Sequence, residues 1–177
     1  MQKYKLTDKT IEVYGRTLHQ IVCVTAFASV AAGEVGGYIE QESNLSQDGN
    51  AWVFGNARVY GDAEVFGNAR VYGTAEVFGH AKVSGNAILR RGDIVSSTDY
   101  VVIGPQGSRY SFATFLVPSN TVCTGCFVGT LNDFKAKVSS EYNPDCCDSC
   151  KIYNEQYQRV IQVFEFYAKD REDKNAE

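Results

Sequence analysis

Residues 51–87 repeat one hydrophobic and polar pattern every six positions, reading AWVFGN, ARVYGD, AEVFGN, ARVYGT, AEVFGH and AKVSGN. A six-residue unit with one small and one aliphatic residue predicts a parallel β-helix with three short sides and about 18 residues per coil. Strand side chains alternate, so Ala57 and Val59 point inward and Arg58 and Tyr60 outward. The same holds for Ala63 and Val65, Ala69 and Val71, Ala75 and Val77, and Ala81 and Val83. The interior is then a column of Ala and Val. A glycine closes each unit, where the corner needs a positive φ, and a small polar residue follows it.

Outward residues 18 apart fall above one another, about 4.8 Å apart across neighbouring coils. Arg58 then stands over Glu76, Glu64 over Lys82, Trp52 over Arg70 and Asp62 over His80. Charge sign alternates by unit and each coil holds an odd number of units. Opposite charges therefore stack, a match a flat two-sided sheet does not need.

Upstream, TIEVYGRTLHQIVCV alternates around Tyr14 and Gly15 and reads as a β-hairpin capping the first coil. Ile39 and Leu45 keep the small-residue frame, so the coil begins near residue 39. Downstream, Leu89 and Val95 keep the aliphatic frame while Arg91 replaces the corner glycine, so the regular helix ends near residue 98. Beyond it, YVVIGPQGSRYSFATFLVPSNTVC reads as strands broken by Gly-Pro and Pro-Ser-Asn turns. Thr130 and Asp133 start a helix, and Tyr153, Tyr157, Val160, Ile161 and Phe164 sit at helical spacing on a second. The predicted organisation is a hairpin cap (1–38), a β-helix (39–98), a small α+β module (99–168) and a solvated tail (169–177).

A hydrophobic content of 44% over 177 residues supplies one sizeable core or two small ones. No run approaches the roughly 20 apolar residues of a membrane span, and the first residues, MQKYKLTDKT, lack the apolar stretch of a signal peptide. A soluble, cytoplasmic protein is expected. The net charge of −4 argues against nonspecific nucleic-acid binding.

The order KYKLTD, YGRTLHQI, AGEVGGYIE and NLSQDGNAWVFGNARVYG resembles a family of bacterial, prophage and phage hexapeptide-repeat proteins. GSRYSFATF and GCFVGTLNDFKAKV resemble the C-terminal module of its phage-borne members. The resemblance implies a left-handed β-helix, self-association, and a phage or prophage setting in a bacterial host. Members of this family are often labelled transferase-like or polymer-forming. By analogy, a small acidic phage protein binds a host defence protein or sequesters a signalling nucleotide. The family tends to show C-x-C ahead of Phe-x-Gly-Thr-Leu, whereas this chain has C-T-G-C, and PDCCDSC resembles an insertion.

Four groups of residues carry candidate chemistry. Cys123 and Cys126, then Cys147 and Cys150, form two CxxC pairs near the upper spacing for a four-thiolate zinc site. Free thiols and a disulfide are the alternatives, and no other cofactor is expected. Gly107, Ser108 and Arg109 form a turn offering free N–H groups, a hydroxyl and a planar cation to a small anionic ligand, with Arg90 and Arg91 as added charge. The outward rings of Phe54, Tyr60, Phe66, Tyr72 and Phe78 make an apolar surface that predicts a homo-oligomer, with a side-by-side trimer as its closed form. An acyltransferase on this scaffold needs a histidine near a cleft, and His19 and His80 are the two present, His80 on a corner. The reading preferred on these grounds is a non-enzymatic oligomeric binding protein for a host protein or a small anionic ligand. An acyltransferase and a structural self-assembling protein are the alternatives.

Overall fold

The computed structural model describes residues 2–175, with side chains through Arg171. The chain is mainly β and divides after Asp99 into two compact units. In the first, β1 (Tyr4–Val13) and β2 (Arg16–Cys23) form an antiparallel hairpin, and β3 (Val35–Ile39) pairs with β2. Eight two-residue strands follow: β4 (Trp52–Val53), β5 (Arg58–Val59), β6 (Glu64–Val65), β7 (Arg70–Val71), β8 (Glu76–Val77), β9 (Lys82–Val83), β10 (Ile88–Leu89) and β11 (Asp93–Ile94). They stack as a parallel solenoid of about three turns. One side carries β3, β5, β8 and β11, the second β4, β7 and β10, and the third β6 and β9.

The interior follows the repeat. The Ala and Val residues of residues 57–83 that were expected inside are at most 1% exposed. Each buried Val contributes about 1.5–3 kcal/mol, and Ala leaves room for the opposite wall. Backbone bonds tie each coil to the next, as where Arg58 N–H donates to Ala75 O and Tyr60 N–H to Val77 O, both at 3.0 Å. The outward register is the expected one. Arg58 pairs with Glu76 at 2.6 Å, Lys82 with Glu64 at 3.1 Å, and His80 lies 3.3 Å from Asp62. An exposed pair such as Lys82 with Glu64 contributes about 0.2–1 kcal/mol, so these contacts mark register more than they stabilise.

Four features differ from the sequence expectation. Ile39 and Leu45 lie over Val59 and Val65, so they continue the aliphatic positions and not the small-residue frame, because the coil that joins them to the regular repeat is longer than those that follow. Trp52 stands over Arg70 as expected but is fully buried, its ring edge-on to Tyr4 and Phe27, because the chain before the solenoid folds back over it. Ile94, not Val95, continues the interior: Asp93 pairs with Glu76, so that coil has lost one residue at the corner where Arg91 replaces glycine. Val95 consequently turns outward and is 46% exposed. In the second unit, residues 169–175, expected as a solvated tail, continue a helix to Asn175. Lys, Asp, Arg and Glu are tolerated there because propagation adds one bond per residue once a helix is nucleated. Residues 176–177 of that expected tail lie outside the described residues.

That second unit is an antiparallel meander, β12 (Tyr100–Gln106), β13 (Ser111–Leu116), β14 (Thr121–Thr124) and β15 (Phe127–Thr130), followed by α1 (Leu131–Glu141) and α2 (Asp148–Asn175). Thr130 and Asp133 cap α1 reciprocally, as their spacing predicts. The core joins Ala113, Phe115 and Val122 of the sheet to Phe134 and Val138 of α1 and Tyr157, Val160, Ile161 and Phe164 of α2. No helix among the described residues is long and apolar enough to cross a membrane.

Lys3 anchors the start of the solenoid. Its Nζ donates to Ala51 O at 3.1 Å and Asp48 O at 3.4 Å and lies 5.1 Å from the Phe27 ring centroid. Burial pulls its pKa down from 10.5 to about 8 against the opposing charge of Asp48. Folded Lys3 thus binds fewer protons than unfolded Lys3 between those values, and its contribution to stability rises with pH there. The melting temperature measured relative to Lys3→Met should climb from pH 8 to pH 10. A flat or falling difference would rule out the buried cation.

Corner glycines supply a second test. Gly73 (φ +65°) would place a Cβ 2.5 Å from Arg90 O, whereas at Gly55 (φ +61°) nothing lies within 4 Å. Gly55→Ala should cost only the left-handed backbone penalty, about 1–2 kcal/mol. Gly73→Ala adds a clash with backbone and should melt lower, as thermal unfolding of the two variants will report. Equal losses would contradict the close approach of coils at that corner.

Candidate functional site

The turn between β12 and β13 is pinned to α2. Gly107 is buried at φ +67°, and its N–H donates to Gln156 Oε1 at 3.0 Å. A Cβ there would stand 2.2 Å from the Tyr157 hydroxyl oxygen, so the Tyr157 ring occupies the space any side chain would need. The pinning leaves Ser108 and Arg109 exposed at the edge of a pocket of about 420 Å³. Gly125, Cys126 and Phe127 line it from the β14–β15 turn, and Phe134, Lys137, Val138, Glu141 and Tyr142 from α1 and its C-terminal end.

Phe134, Val138 and Tyr157 are buried, while Ser108, Arg109, Cys126 and Glu141 are exposed, which gives an apolar floor and a polar rim. Lys137 binds Glu141 at 2.5 Å, and that bond raises its pKa. Arg109 has no ion pair among the described residues, so its guanidinium is the uncommitted charge of the rim. Tyr157, stacked on Tyr142 with ring centroids 5.4 Å apart, has its pKa pushed up to about 12, by burial first and by Tyr142 second. At neutral pH it therefore offers a hydroxyl and no charge. The size and the mix of apolar floor and few polar groups suit a small organic anion.

The expected ligand-binding residues thus divide. Gly107 shapes the turn, Ser108 and Arg109 line the pocket, and the lining comes wholly from the second unit. Arg90 and Arg91 belong to the first unit, where Arg90 lies 5.3 Å from the Tyr72 ring centroid and Arg91 is exposed. Lys137, Tyr142 and Tyr157 escaped the sequence reading as pocket residues. The signal was present in part: Val138 and Tyr157 lie on buried helical stripes, and Lys137 borders one of them.

The outward aromatics also divide. Phe54 stacks on Tyr72 at 4.2 Å and Tyr60 on Phe78 at 5.1 Å, so both ladders form. Tyr60, however, is buried within the chain against Val13, Leu18 and Tyr38, and its hydroxyl donates to Glu76 at 3.0 Å. Burial first and Glu76 second raise its pKa. The hairpin supplies Val13 and Leu18, so part of the cover expected from another copy is internal. Phe66 stays 38% exposed, and Phe54, Tyr72 and Phe78 are half-buried.

Thiols gather differently from the paired CxxC expectation. Cys123 is fully buried on β14 and Cys126 is exposed beyond it, because strand alternation and the following turn send the two apart. Cys146, Cys147 and Cys150 instead have their sulfurs within 4.8 Å of one another at the start of α2. Counting residues between CxxC pairs could not find this set, since Cys123 is buried on a strand and the third member, Cys146, falls outside the motif. Cys150 N–H donates to Cys147 Sγ at 3.3 Å. Hydrogen bonds from the Cys150 side chain and backbone hold the Cys147 thiol below its usual range, and the Cys147 bond pushes Cys150 up to about 11. Cys23 is buried in the first unit, its thiol donating to Thr25 O at 3.2 Å.

His80 and Asp62 are both open to solvent, with side chains 89% and 76% exposed. His19 sits on β2 with Nδ1 3.1 Å from Thr7 O.

No family model matches the chain. A stretch of 37 residues is 43% identical to the uncharacterized acetyltransferase YdcK of Escherichia coli (strain K12), covering 21% of this chain and 11% of that protein. The likeness fits a hexapeptide-repeat solenoid and spans about a tenth of that relative.

Because Tyr157 fills the space beside Gly107, Gly107→Ala should lower the melting temperature and release the turn. Faster proteolysis after Arg109, read by mass spectrometry, should accompany it. Unchanged cleavage would show that the turn is held by something other than α2.

Proposed function

We propose that this chain is a non-enzymatic binding protein whose second unit takes a small organic anion of nucleotide size in the pocket beside Ser108 and Arg109. The observation that carries the reading is an unpaired guanidinium at the rim of a 420 Å³ pocket with an aromatic floor. Arg109 presents a planar fork to phosphate or carboxylate oxygens, and the Ser108 hydroxyl adds a donor. Lys137 supplies a second positive charge once an anion competes with Glu141 for it. Phe127 and Tyr142 line the pocket and add aromatic surface for an apolar or planar part of the ligand.

The solenoid serves in this reading as an assembly stem. Phe66 and the Phe54 and Tyr72 ladder are the surface left for a homo-oligomer, with a trimer as the closed form. In the phage or prophage setting that the resemblance implies, the use of such a pocket is sequestration of a host signalling nucleotide.

The acyltransferase reading draws on the printed name of the E. coli relative and on the pairing of His80 with Asp62. It is the weaker one. A general base works in a site that holds its substrate, and both side chains stand open on a corner.

Calorimetric titration of the full chain with ADP, 3′,5′-cyclic AMP, adenosine and inorganic phosphate tests the proposal. At least one nucleotide should bind more tightly than adenosine or phosphate. Arg109→Ala should weaken that binding about 10- to 100-fold, the value of a charge-assisted hydrogen bond. Absence of nucleotide binding, or binding unchanged by Arg109→Ala, defeats the proposal.

A further inference from the structure

We infer that Cys146, Cys147 and Cys150 form a binding site for a thiophilic closed-shell cation, Zn²⁺ or Cu⁺, held by three thiolates at the start of α2. The inference is independent of the anion pocket. Its first ground is geometric: three sulfurs lie within 4.8 Å of one another. Thiolates bound to one tetrahedral Zn²⁺ at about 2.3 Å stand about 3.8 Å apart. The contraction needed is about 1 Å at most, within reach of side-chain rotation.

The surroundings agree. Cys146 and Cys147 are exposed and Cys150 half-buried, so an ion can enter without unfolding the unit. Asn143 O accepts from Cys146 N–H at 3.1 Å, and Lys151 N–H donates to Cys147 O at 3.0 Å, which fixes the backbone carrying two of the ligands. Asp145 and Asp148 flank the thiols in sequence and bias the turn toward cations. No fourth His, Cys, Asp or Glu of the described residues joins the cluster. The site is therefore three-coordinate from the protein, a number that suits trigonal Cu⁺ or a Zn²⁺ with an open fourth position. Soft thiolate ligands select these ions over Mg²⁺ or Ca²⁺, which take oxygen donors.

The test uses the full chain, reduced and kept anaerobic, titrated separately with Zn²⁺ and Cu⁺ against a chromophoric chelator. About one ion per chain should bind, with Mg²⁺ giving no competition. Cys146→Ser, Cys147→Ser and Cys150→Ser should each weaken binding at least about tenfold, while Cys126→Ser leaves it unchanged. In the wild type, bound metal should slow alkylation of the three clustered thiols without slowing that of Cys126. No binding of either ion overturns the inference, as does an equal loss in Cys126→Ser, which would restore the paired CxxC arrangement. Binding that survives Cys146→Ser intact also overturns it. So does a disulfide between Cys147 and Cys150 that forms equally fast with and without metal.

Discussion

The coil-to-coil backbone ladder is the constraint on which the first unit depends. Each two-residue strand offers too little local structure to persist alone, and it holds because its N–H and C=O groups are shared with the coils on either side. Trp52 N–H donates to Ala69 O and Arg70 N–H to Ala87 O, so one side is bonded through three successive coils. Through the regular repeat the coils match residue for residue, as where Trp52 pairs with Arg70, Arg58 with Glu76 and Glu64 with Lys82. Every outward match then follows from the inward one: with Val59 over Val77, Arg58 has no choice but to meet Glu76. The charges and rings decorate a register that the Ala and Val interior and the backbone have already set.

A ladder leaves edges, and the two ends treat them differently. At the start, β3 would offer an open edge, a template for another chain. The β1 and β2 hairpin pairs with it antiparallel and, in doing so, brings Val13 and Leu18 against Tyr60. Lys3 and Tyr4 then reach residues 42–51, where the Tyr4 hydroxyl donates to Leu45 O at 2.6 Å. At the other end the count fails by one residue at Arg91 and Gly92, β11 still pairs with β8, and Asp99 accepts from Val95 and Ser96 N–H as the regular stack stops. Losing a single corner residue was enough to exchange Ile94 for Val95 in the interior.

The boundary between what could be read from the chain and what could not follows the range of the interaction involved. The Ala and Val column, the corner glycines, the stacked charges and the Thr130 cap depend on neighbours at fixed sequence distance, and all were legible. Burial of Trp52 and Tyr60 depends on segments more than twenty residues away folding back over them, which no periodicity encodes. The pocket was half legible for the same reason. Gly107, Ser108 and Arg109 announce a turn by their types, but Lys137 and Tyr142 reach the pocket through packing of α1 on the sheet. Cysteine spacing misled because it measures distance along the chain, while Cys123 is turned into the core by its strand.

In the second unit, α2 is the common support of both candidate sites. Its first turn carries Cys150 and follows directly on Cys147, and its third turn carries Gln156 and Tyr157, which hold the 107–109 turn. Between them Asn154 donates to Tyr142 O at 2.8 Å, and the Tyr142 ring meets both Tyr153 and Tyr157. The pocket wall is therefore bonded to α2 rather than merely placed near it. Phe164 and Ile161, buried further along, fix the helix on the sheet and leave its first turns to carry the residues of the two candidate sites. Burial at one end and exposed thiols at the other follow from one amphipathic pattern, whose apolar stripe runs through Tyr157 to Phe164 and stops short of Cys146 and Cys147.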